Sequence, residues 1–264
     1  NPIGQYTSGP ENIPPITEKG TMHIQLFITC MIDSLFPQIG EAVFEVLSLA
    51  GAEIHFPTDQ TCCGQPTYNA GYREHAKRLA MRTIETLTRS DDPVVIPSGS
   101  CAVMIRKEFL ELFREDPPWH QRAQALASRT YELSEFLVNV CGNTGFQASF
   151  NGRIAYHPSC HLLRGLGVET QPLDLLNQVE GADVISLSPD CCGFGGVFAI
   201  DHAEISSEMM KRKLDAIESS DADVVVAADV SCLMQIEGGL RRRGSTIRCA
   251  HLAQILTMKE PGLR

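Results

Sequence analysis

The sequence predicts an α/β protein built from two pseudo-symmetric halves, each a parallel sheet flanked by helices. Two observations carry that expectation: a cysteine pattern that occurs twice, and an alternation of short apolar segments with amphipathic ones inside each copy. Cys30, Cys62, Cys63 and Cys101 recur as Cys160, Cys191, Cys192 and Cys232, displaced by 130, 129, 129 and 131 positions. Both doublets precede a glycine, Gly64 and Gly193. Both last cysteines follow an apolar run through a short polar turn, VVIPSGSC and VVVAADVSC.

The elements follow in the same order in each copy. Ile24 to Ile28 and Ile154 to Tyr156 are short runs of strand formers that end just before the first cysteine. A helix follows, Gln38 to Ala50 stopped by Gly51, and in the second copy Leu173 to Val179 stopped by Gly181. A second strand, Glu53 to Phe56 or Val184 to Leu187, leads into the Cys-Cys-Gly turn. A strongly amphipathic helix comes next, Tyr72 to Thr88 and Ala203 to Ser219. A third strand, Val94 to Ile96 and Val224 to Ala227, then delivers the last cysteine. Each half closes alike, TYELSEFLVN at 130–139 echoing IRCAHLAQIL at 247–256. Strands alternating with helices imply parallel pairing with helices on both faces. The expected division is a first repeat at 22–150 and a second at 151–264. Residues 1–21, Pro- and Gly-punctuated and without periodicity, read as a flexible extension or expression remnant, with Met22 as the natural start.

Composition narrows the function classes. The chain has 264 residues, which at roughly 150 per domain accommodates one large domain or two small ones. Its 22 basic and 32 acidic residues give a net charge of −10, and only 6% of residues are aromatic. That balance lacks the cationic footprint of a nucleic-acid or anionic-membrane binder. No apolar run approaches a membrane span, and nothing resembles a secretory signal, so a cytoplasmic protein is expected. Ten cysteines in a reducing compartment favour metal ligation or thiol redox chemistry over a disulfide scaffold.

At the carboxyl ends of parallel strands, side chains converge on one edge of the sheet, where helix N-termini also point. Cys30, Cys62, Cys63 and Cys101 can therefore meet although they are far apart in sequence, and so can Cys160, Cys191, Cys192 and Cys232. Four converging thiolates suit either tetrahedral zinc or an iron–sulfur cluster. A cluster several ångströms across accommodates two adjacent ligands more easily than one small ion does. A dithiol/disulfide function is the remaining chemistry, since adjacent cysteines can form a reducible bridge.

The duplicated Cys…Cys-Cys-Gly…Cys pattern resembles the cysteine-rich CCG domain of the heterodisulfide reductase B subunit and the glycolate oxidase iron–sulfur subunit. The strings FITC, FPTDQTCCGQPTYNAGY, IPSGSC, YHPSC, CCGFGGVFAI and ADVSCLMQIEGGL are more similar still to the lactate utilisation protein A family, from about Met22 to Met258. The resemblance implies a cytoplasmic iron–sulfur electron-transfer subunit. It would work with other subunits of a complex that oxidises L-lactate to pyruvate, including a ferredoxin-type iron–sulfur subunit. One departure is informative: the heterodisulfide reductase pattern ends in C-x-x-C, and the first of those two cysteines is Ser98 here in one half and Asp229 in the other. Four ligands per half remain. That departure points to an ordinary 4Fe-4S cluster in each half, or zinc in one or both, rather than a noncubane double cluster.

Other residues carry weaker signals. Ser98 and Asp229 read as turn residues or helix caps beside the site, or as oxygen ligands. His157 and His161 flank Cys160; the first half carries Ile28 and Met31 in roughly those places, so a bond to a cysteine sulfur or the backbone is expected rather than ligation. Gly64 and Gly193 let the backbone approach a bulky cluster and bring N–H groups to it, and Gly195 and Gly196 extend the second loop. Cys141 and Cys249 fall outside the pattern and read as core thiols. Arg241 to Arg243 end a helix where cations meet its dipole, with a partner contact as the sharper alternative. Met209 and Met210 sit at core spacing on a helix.

Overall fold

The computed structural model describes residues 22–142 and 145–259, so the expectation for 1–21 lies outside the described residues. It contains two four-stranded sheets, parallel throughout. The strands of the first are β1 (Met22–Leu26), β2 (Ala52–His55), β3 (Val94–Ile96) and β4 (Thr130–Glu132), in the order β2-β1-β3-β4. Those of the second are β5 (Ser149–Tyr156), β6 (Glu180–Ser186), β7 (Val224–Ala227) and β8 (Arg248–His251), in the order β6-β5-β7-β8. The same permutation in both sheets is the duplication made visible.

Helices form where the apolar spacing places them. Pro37–Leu49 opens on a proline and buries Ile39, Ala42, Val43, Val46 and Leu47 before Gly51 turns the chain at φ +82°. Arg73–Leu87 and Ala203–Glu218 match the two amphipathic segments and bury Ala76, Thr83, Ile84 and Leu87, and Ser206, Lys213, Leu214 and Ile217, at equivalent positions. The central strands β3 and β7 are wholly buried, as strands covered on both faces must be.

Two details differ from the sequence reading. The second-half helix is Gln171–Leu176, shorter than expected, because β6 already begins at Glu180 and pairs with Ser149. Gly181 accordingly lies inside the strand at φ +80° rather than capping the helix. The two closing segments each supply a fourth strand followed by a capping box, Glu132 with Glu135 and His251 with Gln254.

The halves are locked to one another. One core cluster takes residues from both sheets, among them Ile24, Val95, Ile154 and Val226. The helix Pro37–Leu49 packs on the closing helix Leu252–Leu256 of the other half, and Gln171–Leu176 on Leu133–Glu135. At the seam, Gly99 and Gly165 permit backbone contact. A Cβ on Gly99 would stand 2.7 Å from Leu162 Cβ, and one on Gly165 would stand 2.4 Å from Val103 Cγ2.

Candidate functional site

The strand ends beside this seam carry the cysteines. Cys30 opens the helix Cys30–Leu35, N-capped by the Thr29 hydroxyl, which accepts from Ile32 N–H at 3.4 Å. Cys101 lies on the helix Gly99–Val103, where the Ser98 hydroxyl accepts from Cys101 N–H at 3.3 Å. Cys232 lies on the helix Val230–Arg243, with Asp229 at the N-cap position. The doublets occupy tight loops after β2 and β6, turned by Gly64 at φ +87° and Gly193 at φ +85°. All eight cysteines line one cavity of about 120 Å³ between the halves.

Within each quartet the sulfurs form a chain of contacts. Cys63 Sγ and Cys101 Sγ are 3.3 Å apart, and Cys192 Sγ and Cys232 Sγ are 3.2 Å apart. Cys62 bridges Cys30 to Cys63, and Cys191 bridges Cys160 to Cys192. The bridging sulfurs receive S–H bonds from both neighbours and a backbone N–H from Gly64 or Gly193 at 3.4 Å. Those donors stabilise the thiolate, drawing Cys62 down to about 3 and Cys191 to about 2. The thiols of Cys30, Cys63, Cys160 and Cys192 are pushed well up, first by donating to a neighbouring cysteine sulfur and then by burial. Each quartet thus holds a nucleophilic sulfur already in the form that binds metal.

The shape of the quartets bears on what they hold. In a tetrahedral zinc site with Zn–S bonds near 2.3 Å, all four sulfurs lie about 4 Å from one another. Among the described residues, the only Cys, His or carboxylate trio with ligand atoms all within 4.8 Å of one another is His157, Cys192 and Cys232. No three sulfurs of either quartet are that compact. All ten cysteines are free thiols.

Ser98 and Asp229, at the positions where the heterodisulfide reductase pattern has cysteine, join the halves. The Asp229 carboxylate accepts from Ser98 Oγ at 2.7 Å, from Ser100 N–H at 3.1 Å and from the Ser159 hydroxyl. Both its oxygens are occupied, so Asp229 fastens the seam beneath the cavity. Gly64 and Gly193 turn the loop and donate to sulfur. Gly193 has no room for a side chain, since a Cβ there would meet Ser206 O at 2.6 Å. Gly195 and Gly196 line the cavity, and Gly196 faces Pro66 of the other half.

His157 is fully buried and neither ring nitrogen has a hydrogen-bond partner. Burial first, and then Lys213, bring its pKa down to about 3, so the ring is neutral. His161 lines the cavity, with Nδ1 3.7 Å from Cys160 Sγ. The residue matching His157 in the first half is Phe27 rather than Ile28: each donates its backbone N–H to the third strand, Phe27 to Val95 O and His157 to Val226 O. Position counting near the first cysteine missed this by one. Cys141 and Cys249 lie away from the cavity and pack against the core, where burial raises them to about 11 and about 12. Met209 covers Gly193 and Met210 packs against Gly239. Arg241 pairs with Glu237 at 2.7 Å, and Arg243 with Asp215 and Glu218 at 2.7 Å each, so these two cations are spent within the chain.

Comparison with known proteins bears on the same residues. The cysteine-rich domain family CCG matches twice, at residues 24–106 and 154–237, each match beginning in a first strand and ending beyond a last cysteine. Lactate utilization protein A 2 of Bacillus cereus is 45% identical over 237 residues, covering 89% of this chain and 98% of that protein. The chain belongs to the lactate utilization protein A family. A further family member, lactate utilization protein A of an Exiguobacterium species, is 44% identical over the same share of the chain and 96% of its own length. A hypothetical protein from Helicobacter pylori shares the fold with a TM-score of 0.60 at 10% identity, over 98% of this chain and 52% of that one. Family membership supports a role in lactate utilisation, and the duplicated cysteine-rich domain is consistent with a metal or iron–sulfur centre. No helix among the described residues is long and apolar enough to cross a membrane.

Proposed function

We propose that the protein is an iron–sulfur electron-transfer subunit of a cytoplasmic complex that oxidises L-lactate to pyruvate. The observation that carries this reading is the pair of thiol quartets lining one cavity in a member of the lactate utilization protein A family. Cys30, Cys62, Cys63 and Cys101 hold one 4Fe-4S cluster, and Cys160, Cys191, Cys192 and Cys232 hold the other. When bound, such clusters supply one-electron steps. The residues' own contribution is to gather four soft donors, hold one of them ready as thiolate in each half, and aim the Gly64 and Gly193 N–H groups at sulfur. In this reading the two-electron chemistry on lactate falls to another cofactor or subunit. A ferredoxin-type iron–sulfur subunit is the electron-transfer partner the reading calls for.

One observation favours zinc in the second half: the compact trio His157, Cys192 and Cys232. A thiol–disulfide enzyme is the remaining alternative, and it would use the contacting thiol pairs Cys63–Cys101 and Cys192–Cys232.

Deleting the protein from its host is expected to abolish growth on L-lactate as sole carbon source and to spare growth on glucose. Restoring the wild-type chain restores growth, whereas the double variant Cys63→Ser, Cys192→Ser does not. Undiminished growth on lactate after deletion would overturn the assignment.

A further inference from the structure

The two quartets are alike in sulfur and unlike in surroundings. Phe27 and His157 occupy one position of the repeat, directly behind the sulfurs. Phe27 packs in the cluster that contains Cys63 and Cys101. His157 instead brings a ring nitrogen within 4.8 Å of the Cys192 and Cys232 sulfurs. A neutral imidazole always carries one N–H, and neither nitrogen of His157 has a hydrogen-bond partner of its own.

The second difference lies on the helix that covers each doublet. Thr83 and Lys213 take the same place on Arg73–Leu87 and Ala203–Glu218, and each is only 1% exposed. Lys213 Nζ donates to Ser188 O at 2.7 Å in the loop that leads to Cys191. Burial lowers the Lys213 pKa, while Asp190 and then the sulfurs of Cys192, Cys191 and Cys232 favour its charged form; Lys213 in turn lowers the pKa of His157. Two carboxylates oppose its charge. Asp190 is exposed, so solvent damps its field. Asp229 sits between the halves, held by Ser98, Ser100 and Ser159, and its charge bears on Cys160 and His157 of the second site.

We infer that the two sites are unequal, and that the one built from Cys160, Cys191, Cys192 and Cys232 is the electron-accepting site of the pair. A buried lysine and an unpartnered imidazole nitrogen within 4.8 Å of two sulfurs both favour an added electron, since nearby charge and polar groups around the sulfurs are the levers by which proteins set such potentials. The first site, with Phe27 and Thr83 in those places, has neither. One electron leaves the first site, which is oxidised by one, and enters the second, which is reduced by one. No bond is made or broken. The inference rests on the iron–sulfur reading and adds a direction to it.

The test is an anaerobic potentiometric titration with dithionite, followed by electron paramagnetic resonance, on full-length chains that each keep one site. The Cys62→Ser chain, which keeps the second site, is expected to titrate at the higher potential. Adding Lys213→Met is expected to shift the partition of the electron about tenfold toward the oxidised form, 59 mV for a one-electron couple, and Lys213→Arg to restore it. If Lys213→Met does not fold, His157→Phe recreates the residue of the first half and is expected to lower the potential in the same sense. Equal potentials, or a higher one in the Cys191→Ser chain, would overturn the inference and leave the iron–sulfur reading standing. A chain that binds neither iron nor sulfide after anaerobic reconstitution would overturn both.

Discussion

Cys62→Ser removes about half of the bound iron and leaves the other half in place, and Cys191→Ser removes the complementary half. This is the expected result because each of these sulfurs is the middle member of its own chain of contacts, in touch with Cys30 and Cys63 or with Cys160 and Cys192. No sulfur of one quartet bonds to a sulfur of the other among the described residues, although both line one cavity. Losing a middle thiolate leaves three donors and removes the sulfur that both its neighbours contact, which weakens the hold on a cluster. Serine retains the size of the side chain but not the soft, acidic donor. Cys141→Ser serves as the reference variant, since Cys141 packs against the core away from the cavity and is expected to leave metal content unchanged. Complete loss from either Cys62→Ser or Cys191→Ser alone would mean one shared centre. A drop in Cys141→Ser would mean that the ligand set is wrong.

Gly99→Ala is expected to destabilise the protein by about 1–3 kcal/mol, the usual cost of forcing a methyl group into a packed interior. The added Cβ would lie 2.7 Å from Leu162 Cβ and 2.9 Å from the Leu162 Cα and N. Backbone cannot swing aside as a flexible side chain can, so the helix Gly99–Val103 must retreat from the second half. That retreat stretches the neighbouring Ser98–Asp229 bond of 2.7 Å and displaces Cys101 with its helix. Denaturant unfolding measures the loss, and the metal content of the same sample reports the displacement of Cys101. Gly238→Ala is the contrasting change, because Gly238 sits within the helix Val230–Arg243 with nothing within 4 Å of its would-be Cβ. It is expected to stabilise by about 0.5–1 kcal/mol, the helix-propensity difference between the two residues. An unchanged midpoint for Gly99→Ala would show that the seam is looser than described.

Much of this architecture was legible because the duplication repeats chemistry along with pattern. The strands β3 and β7 are bounded as expected, and the two amphipathic helices fall within a residue of their expected limits, since burial on a defined face writes a strong period into the sequence. The helix ahead of β6 was misjudged because Gly181, read as a stop, serves a distorted strand pairing that the local sequence does not reveal. Ser98 caps its helix as expected, whereas Asp229 stands at the N-cap position without a side-chain capping bond and reaches across to Ser98 and Ser100 instead, which only the tertiary structure shows. The buried lysine escaped notice altogether. On a helix with charged residues on its exposed face, Lys213 looks like one more solvated cation. Comparing the two repeats position by position, with Thr83 opposite, was the signal that could have singled it out.

Iron, zinc and acid-labile sulfide determined together on the full-length protein, purified without exposure to oxygen, test the central claim most directly. Iron and sulfide in near-equal amounts, with zinc absent, are the expected result. Zinc in place of iron, or thiols alone that oxidise pairwise with no metal bound, would contradict it.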